Sequence, residues 1–198
     1  DAFSGTCQCD PNGAWIGPQC QIHRGVHAEA RVFVNELYFA SSASENDKIE
    51  IAGPAGTLLD GWKLHYYYNT CNGRADGEVG EYNPTRSTTL RGRIPNMANG
   101  YGVKVFSVLP KLDNACDDHT SGLMGSGIAL VTSGGTVVQF LAYGTDLVSG
   151  GRGPVSAGVH AETIPAIDEL PASGRSIALV GLGQYPSDFT WSSGSVDT

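Results

Sequence analysis

Apolar residues recur along this chain in short alternating runs, not in helical stripes. From Arg31 on, the runs are 32–39 (VFVNELYF), 48–52 (KIEIA), 62–68 (WKLHYYY), 86–94 (RSTTLRGRI), 103–109 (VKVFSVL), 127–132 (GIALVT), 136–143 (TVVQFLAY), 176–181 (SIALVG) and 188–191 (DFTW). Each is rich in β-branched or aromatic side chains and is bounded by Gly, Pro, Asn or Asp, which suit turns. No stretch carries a 3.6-residue apolar stripe over three turns. Ser133-Gly134-Gly135 lies between two runs and predicts a hairpin, because glycine reaches the positive φ that tight hairpins require. The pattern predicts an all-β chain, and strands this short and numerous bury their apolar faces best as a two-sheet β-sandwich.

Residues 1–27 break from this pattern. They are cysteine-rich, carry the turn signals Asp10-Pro11-Asn12-Gly13 and Gly17-Pro18, and show no sustained periodicity. The expected organisation is a small cysteine-rich segment over 1–27 and a β-sandwich domain over 28–198. Composition agrees: 27 glycines, 10 prolines and 16% charged residues suit short strands joined by turns. A chain of 198 residues is long enough to bury a core without staples.

The net charge of −8, with scattered Lys and Arg, argues against nucleic acid, whose backbone selects clustered cations. Arg86, Arg91 and Arg93 are the nearest approach to a patch, and they read as one face of a strand. No apolar run is long enough to span a membrane as a helix. The chain opens at Asp1, as a processed chain would, and its close-spaced cysteines favour an oxidising, secreted, extracellular setting.

Five pieces in order resemble the lamin-tail domain family: "VFVNELYF", "KIEIAGPAG", "LLDGWKL", "GIALVTSGGTVVQFLAY" and "DFTWSS". The resemblance covers about residues 29 to 194 and is closest to the variants found in secreted bacterial and algal proteins. It implies an immunoglobulin-like β-sandwich, with Asn35-Glu36 and Gly61-Trp62 as fold-defining residues. Gly61 suits a sharp turn that delivers Trp62 into the core, where it would bury about 200 Å². Asn35 and Glu36 are expected to tie loop backbone donors at one end of the sandwich, the functional alternative being a ligand site. The insert 69–85 and the Gly/Pro-rich segment 144–175 are long for such a domain and are read as loops.

The head "CQCDPNGAWIGPQC" is similar to the last part of an EGF-like module: Cys7-Gln8-Cys9, Trp15, Gly17 and Cys20 occupy that pattern. The resemblance implies a Cys9–Cys20 disulfide, worth about 3 kcal/mol in the chain-entropy model. It leaves Cys7 for an upstream or intermolecular disulfide. Cys71 and Cys116 remain, and a bond between them is expected to contribute about 4 kcal/mol if unstrained.

The sequence holds no nucleophile elbow, no His-Glu-x-x-His and no P-loop. His23 and His27 are the only close histidine pair, and Gly25 between them opposes a helix that would align them on a metal. Asp113, Asp117 and Asp118 are candidate Ca²⁺ ligands, hard oxygens in a loop. They lack EF-hand alternation and read more simply as a solvated loop around Cys116. No carboxylate pair accompanies a nucleophile.

The expectation is therefore a non-catalytic extracellular module that needs no cofactor. It would act by self-association or with other extracellular proteins, as a structural subunit of a fibre, appendage or coat. The alternative is an accessory carbohydrate- or surface-binding module of a secreted hydrolase or nuclease, with glycans as partner. Tyr66, Tyr67 and Tyr68 invite that idea, although alternation sends neighbours to opposite faces.

Overall fold

The computed structural model describes residues 15–16, 22–23, 31–40, 45–68, 81–82, 84–108, 112, 126–143, 147–164 and 174–194. In chain order the strands are β1 (Trp15–Ile16), β2 (Ile22–His23), β3 (Phe33–Phe39), β4 (Asp47–Pro54), β5 (Lys63–Tyr68), β6 (Glu81–Tyr82) and β7 (Pro84–Thr89). They continue with β8 (Tyr101–Val108), β9 (Ser126–Val131), β10 (Val137–Tyr143), β11 (Val148–Ser149), β12 (Glu162–Thr163), β13 (Arg175–Gly181) and β14 (Phe189–Gly194), with one 3-10 turn at Pro186–Asp188. Among the described residues no helix is long and apolar enough to cross a membrane.

Ten of these strands form two five-stranded sheets, β14-β13-β3-β4-β8 and β12-β10-β9-β5-β7. Pairing within them is antiparallel except where β12 lies parallel to β10. The chain is thus the all-β sandwich that its alternating runs predict. Leu37, Ile49, Ile51 and Leu179 of the first sheet meet Leu64, Tyr66, Ile128 and Leu130 of the second in one core. Phe39 and Tyr143 pack edge to face within it at 6.0 Å. The hairpin at 133–135 closes through Thr132 N–H to Thr136 O at 2.9 Å, with Gly135 at φ +87°.

The second sheet is buried on its outer face as well. Alternation sends Tyr67, Ala129, Val131, Phe140 and Ala142 outward, where Leu147, Val155, Val159 and Ala161 cover them. That cover is the first part of the segment read as a loop. It doubles back on itself, Ala161 N–H donating to Leu147 O at 2.8 Å and Ser149 N–H to Val159 O at 2.9 Å. Apolar residues on both faces of β9 and β10 need such a layer, because an uncovered face would leave them in water.

Two local expectations change. The run 86–94 leaves the sheet after Thr89, because Leu90 N–H donates to Trp62 O (2.7 Å) and Ile94 N–H to Thr57 O (3.0 Å), joining it to the turn before β5. In that turn Gly61 does adopt φ +81°, yet Trp62 is only partly buried against the core. Leu59 takes the fully buried place, and Trp191 is a buried tryptophan, at 8% exposure.

Candidate functional site

A cleft opens on the first sheet, around an irregularity in β3. The β3–β4 register shifts between Val34 and Glu36, leaving Asn35 as the extra residue of a bulge. Beyond the shift Glu36 stands directly opposite Glu50, carboxylate against carboxylate. Asn35 is not tied to loop backbone as expected: its Nδ2 donates to Glu50 Oε1 at 2.6 Å. Burial pushes the Glu50 carboxyl above its usual range; the Asn35 hydrogen bond opposes this and the Glu36 charge adds to it.

Beside the bulge, Phe33, Ala52 and Val103 occupy adjacent register positions on β3, β4 and β8. They floor a cleft of about 280 Å³, whose lining also includes Asn35, Met97, Tyr101, Gln184 and Phe189. Phe189 closes one wall, its ring 5.8 Å from that of Phe33. Met97 stands on the rim at 66% exposure. The turn carrying it lies flat on β8 because residue 102 is glycine: a Cβ there would come within 1.9 Å of the Pro95 carbonyl oxygen.

The opposite rim is fixed by Asp188. Its Oδ2 accepts from the backbone N–H groups of Gln184 (2.8 Å) and Tyr185 (2.9 Å). Those bonds favour the charged form and lower the Asp188 pKa. Gln184 is thereby placed to accept the Tyr101 hydroxyl at 2.7 Å, bridging the two rims. Arg31 Nη2 donates to the Tyr185 hydroxyl at 3.4 Å and its guanidinium lies 5.6 Å from that ring centre.

The cleft continues into the free edge of the sheet. Among the described residues β8 is paired with β4 alone, from Pro54↔Tyr101 to Asp47↔Val108. Among those residues no strand pairs with its other side along its eight positions. Apolar walls, a few amide and hydroxyl groups and an open strand edge can bind; they offer no paired nucleophile and base. Among the described residues no group of three or more His, Cys, Asp or Glu is placed to hold a metal ion.

Of the residues singled out by sequence, the structure brings Asn35 to the cleft, sets Glu36 next to it opposite Glu50, and leaves Gly61 and Trp62 in the turn before β5. Cys7, Cys9, Cys20, Cys71, Cys116, Asp113, Asp117 and Asp118 lie outside the described residues, and with them the disulfide and Ca²⁺ expectations. Tyr66 and Tyr67 are both fully buried, so neither is a platform for sugars. Phe33, Ala52, Met97, Val103, Gln184 and Phe189 come from separate segments, and nothing local in the sequence marks them as a group. No family model, no curated protein and no solved structure matches this chain.

Proposed function

We propose that this chain is a non-catalytic extracellular interaction module that assembles with further copies of itself, as a structural subunit of a fibre, appendage or coat would. The observation that carries the proposal is the open edge of β8 beside an apolar cleft, because an unpaired strand edge recruits a further strand by backbone pairing alone. The cysteine-rich head supports it from sequence: Cys7 has no partner implied within the chain by the EGF-like pattern. The lamin-tail resemblance supports it through the accessory and interaction roles such domains take in secreted proteins.

The test is light scattering after size-exclusion chromatography over a concentration series, with electron microscopy and non-reducing mass mapping. Concentration-dependent assembly is expected. A strictly monomeric native protein with a free Cys7 thiol would overturn the reading.

One observation favours the alternative of a carbohydrate-binding accessory module: the cleft sets Asn35, Tyr101 and Gln184 around apolar walls. Saturable glycan-array binding by a monomer, lost in Gln184→Ala, would move the assignment to that class.

A further inference from the structure

Among the described residues the two main sheets have four edge strands, and they differ in what guards them. β7 begins with Pro84, which has no N–H to donate, and β12 is only two residues long. β14 spans six residues and carries exposed Thr190, Ser192 and Ser193. β8 spans eight residues without a proline, and Val105 at its middle is 53% exposed. Its one charged residue, Lys104, is folded back over its own sheet. The ammonium lies 5.8 Å from the Phe106 ring centre and 3.2 Å from where a Cβ on Gly92 would stand. A lysine held this way guards the edge only in a register that sets a second cation opposite it.

What could pair with such an edge is constrained by the strand itself. A two-fold axis perpendicular to the sheet keeps each face on its own side, so an antiparallel β8–β8 pair must be centred on a residue, never between two. Only centres at Lys104 or Val105 keep the longest stretch of the strand paired, 101–107 or 102–108. Centring on Lys104 would set ammonium against ammonium, which is destabilising. Centring on Val105 sets the exposed valines against each other, Val103 against Ser107, and each Lys104 against the neighbouring copy's aromatic ring at 106, a cation–π pair made twice.

We infer that β8 is a homodimerisation edge, pairing antiparallel with β8 of a second copy in the register centred on Val105. The inference rests on the self-assembly reading above and names its surface. The contact joins two five-stranded sheets into one continuous sheet. A contact along a single strand edge is narrow against the roughly 1,200 Å² at which stable interfaces begin, so a weak, concentration-dependent dimer is expected. An isologous contact also closes on itself; a fibre built from these dimers uses a second contact elsewhere on the chain.

The experiment combines sedimentation over a concentration series with hydrogen exchange of the full chain at its dilute and concentrated ends. Dimerisation with slowed exchange confined to 101–108, and none across 189–194, is expected. Val105→Lys places like charges on the axis and weakens association by more than about tenfold, and Ser107→Lys does the same from a second exposed position. Val180→Lys, equally exposed at 54% but on β13, leaves association unchanged. Circular dichroism melts confirm that each variant remains folded. Association that persists in both β8 variants, or protection that falls on another segment, overturns the β8 assignment and leaves self-assembly standing. A monomer at every concentration overturns both.

Discussion

Gln139 on β10 reaches across the sandwich and accepts a hydrogen bond from the backbone N–H of Val34 on β3 at 2.7 Å. Both residues sit at register shifts, Val34 beside the β3 bulge and Gln139 beside one in β10. The contact joins the two sheets through a buried polar bond where the regular ladders are interrupted. Replacing the acceptor would orphan a buried N–H, whose desolvation costs about 1–3 kcal/mol. Gln139→Leu should therefore lower Tm by about 2–4 °C per kcal/mol lost in a domain of this size, measured by thermal denaturation. An unchanged Tm would show that water or another acceptor takes over.

Asp47 makes a second buried anchor. Its Oδ1 accepts from Ala40 N–H at 2.8 Å, its Oδ2 from Leu112 N–H, and the Leu112 carbonyl in turn accepts the Tyr143 hydroxyl at 3.1 Å. Asp47→Ala removes a charged acceptor from two donors at once and should cost about 3 kcal/mol or more, read as a shift of the urea midpoint. Tyr143→Phe removes only the outer link and should cost about 1 kcal/mol.

The two buried tyrosines of β5 should respond in opposite directions. The Tyr66 hydroxyl donates to Thr88 Oγ1 at 2.9 Å, whereas the Tyr67 hydroxyl is buried without a well-formed hydrogen bond, 4.8 Å separating its ring centre from that of Phe140. Tyr66→Phe should destabilise by about 1 kcal/mol, and Tyr67→Phe should be neutral or mildly stabilising, since it deletes a buried hydroxyl with no well-formed hydrogen bond. Chemical denaturation of the pair checks this.

Burial also pushes both hydroxyls up to about 12, the Thr88 bond at Tyr66 and the Val155 backbone at Tyr67 offsetting part of the effect. A folded pKa above the unfolded value of 10 means the folded state holds its protons longer. The stability these groups contribute is therefore present below pH 10 and lost as pH rises from 10 towards 12. Absorbance titration near the phenolate band should show late-ionising tyrosines, two fewer of them in the Tyr66→Phe, Tyr67→Phe double variant.

Glu50 should act in the same sense at lower pH. Its carboxyl is raised by burial and by facing Glu36, so the folded state binds the proton more tightly than the unfolded chain does. Stability then falls as pH rises through the unfolded value of 4.5 and beyond. Glu50→Gln keeps an acceptor for Asn35 and removes the like-charge pair. It should stabilise the domain at neutral pH by about 0.2–1 kcal/mol, an advantage that vanishes below the unfolded pKa. Melts at neutral and acidic pH decide it; an equal gain at both would place the effect in packing instead.

The sequence by itself determined the architecture. Runs such as VFVNELYF and GIALVT announce β3 and β9 because side-chain alternation and turn punctuation are local properties, written in consecutive residues. Even the Ser133-Gly134-Gly135 hairpin was legible, since its geometry depends on residues in sequence contact. Tertiary structure alone decided the rest. Which tyrosine faces which core, why Leu59 and not Trp62 fills the turn's buried place, and why the Gly/Pro segment after β10 becomes a cover over Phe140 all depend on partners far along the chain. The same holds for the site. Asn35 and Glu36 stood out as residues, but Glu50 as their partner, the cleft under Phe189 and the unguarded edge at Val105 appear only when distant strands are placed side by side.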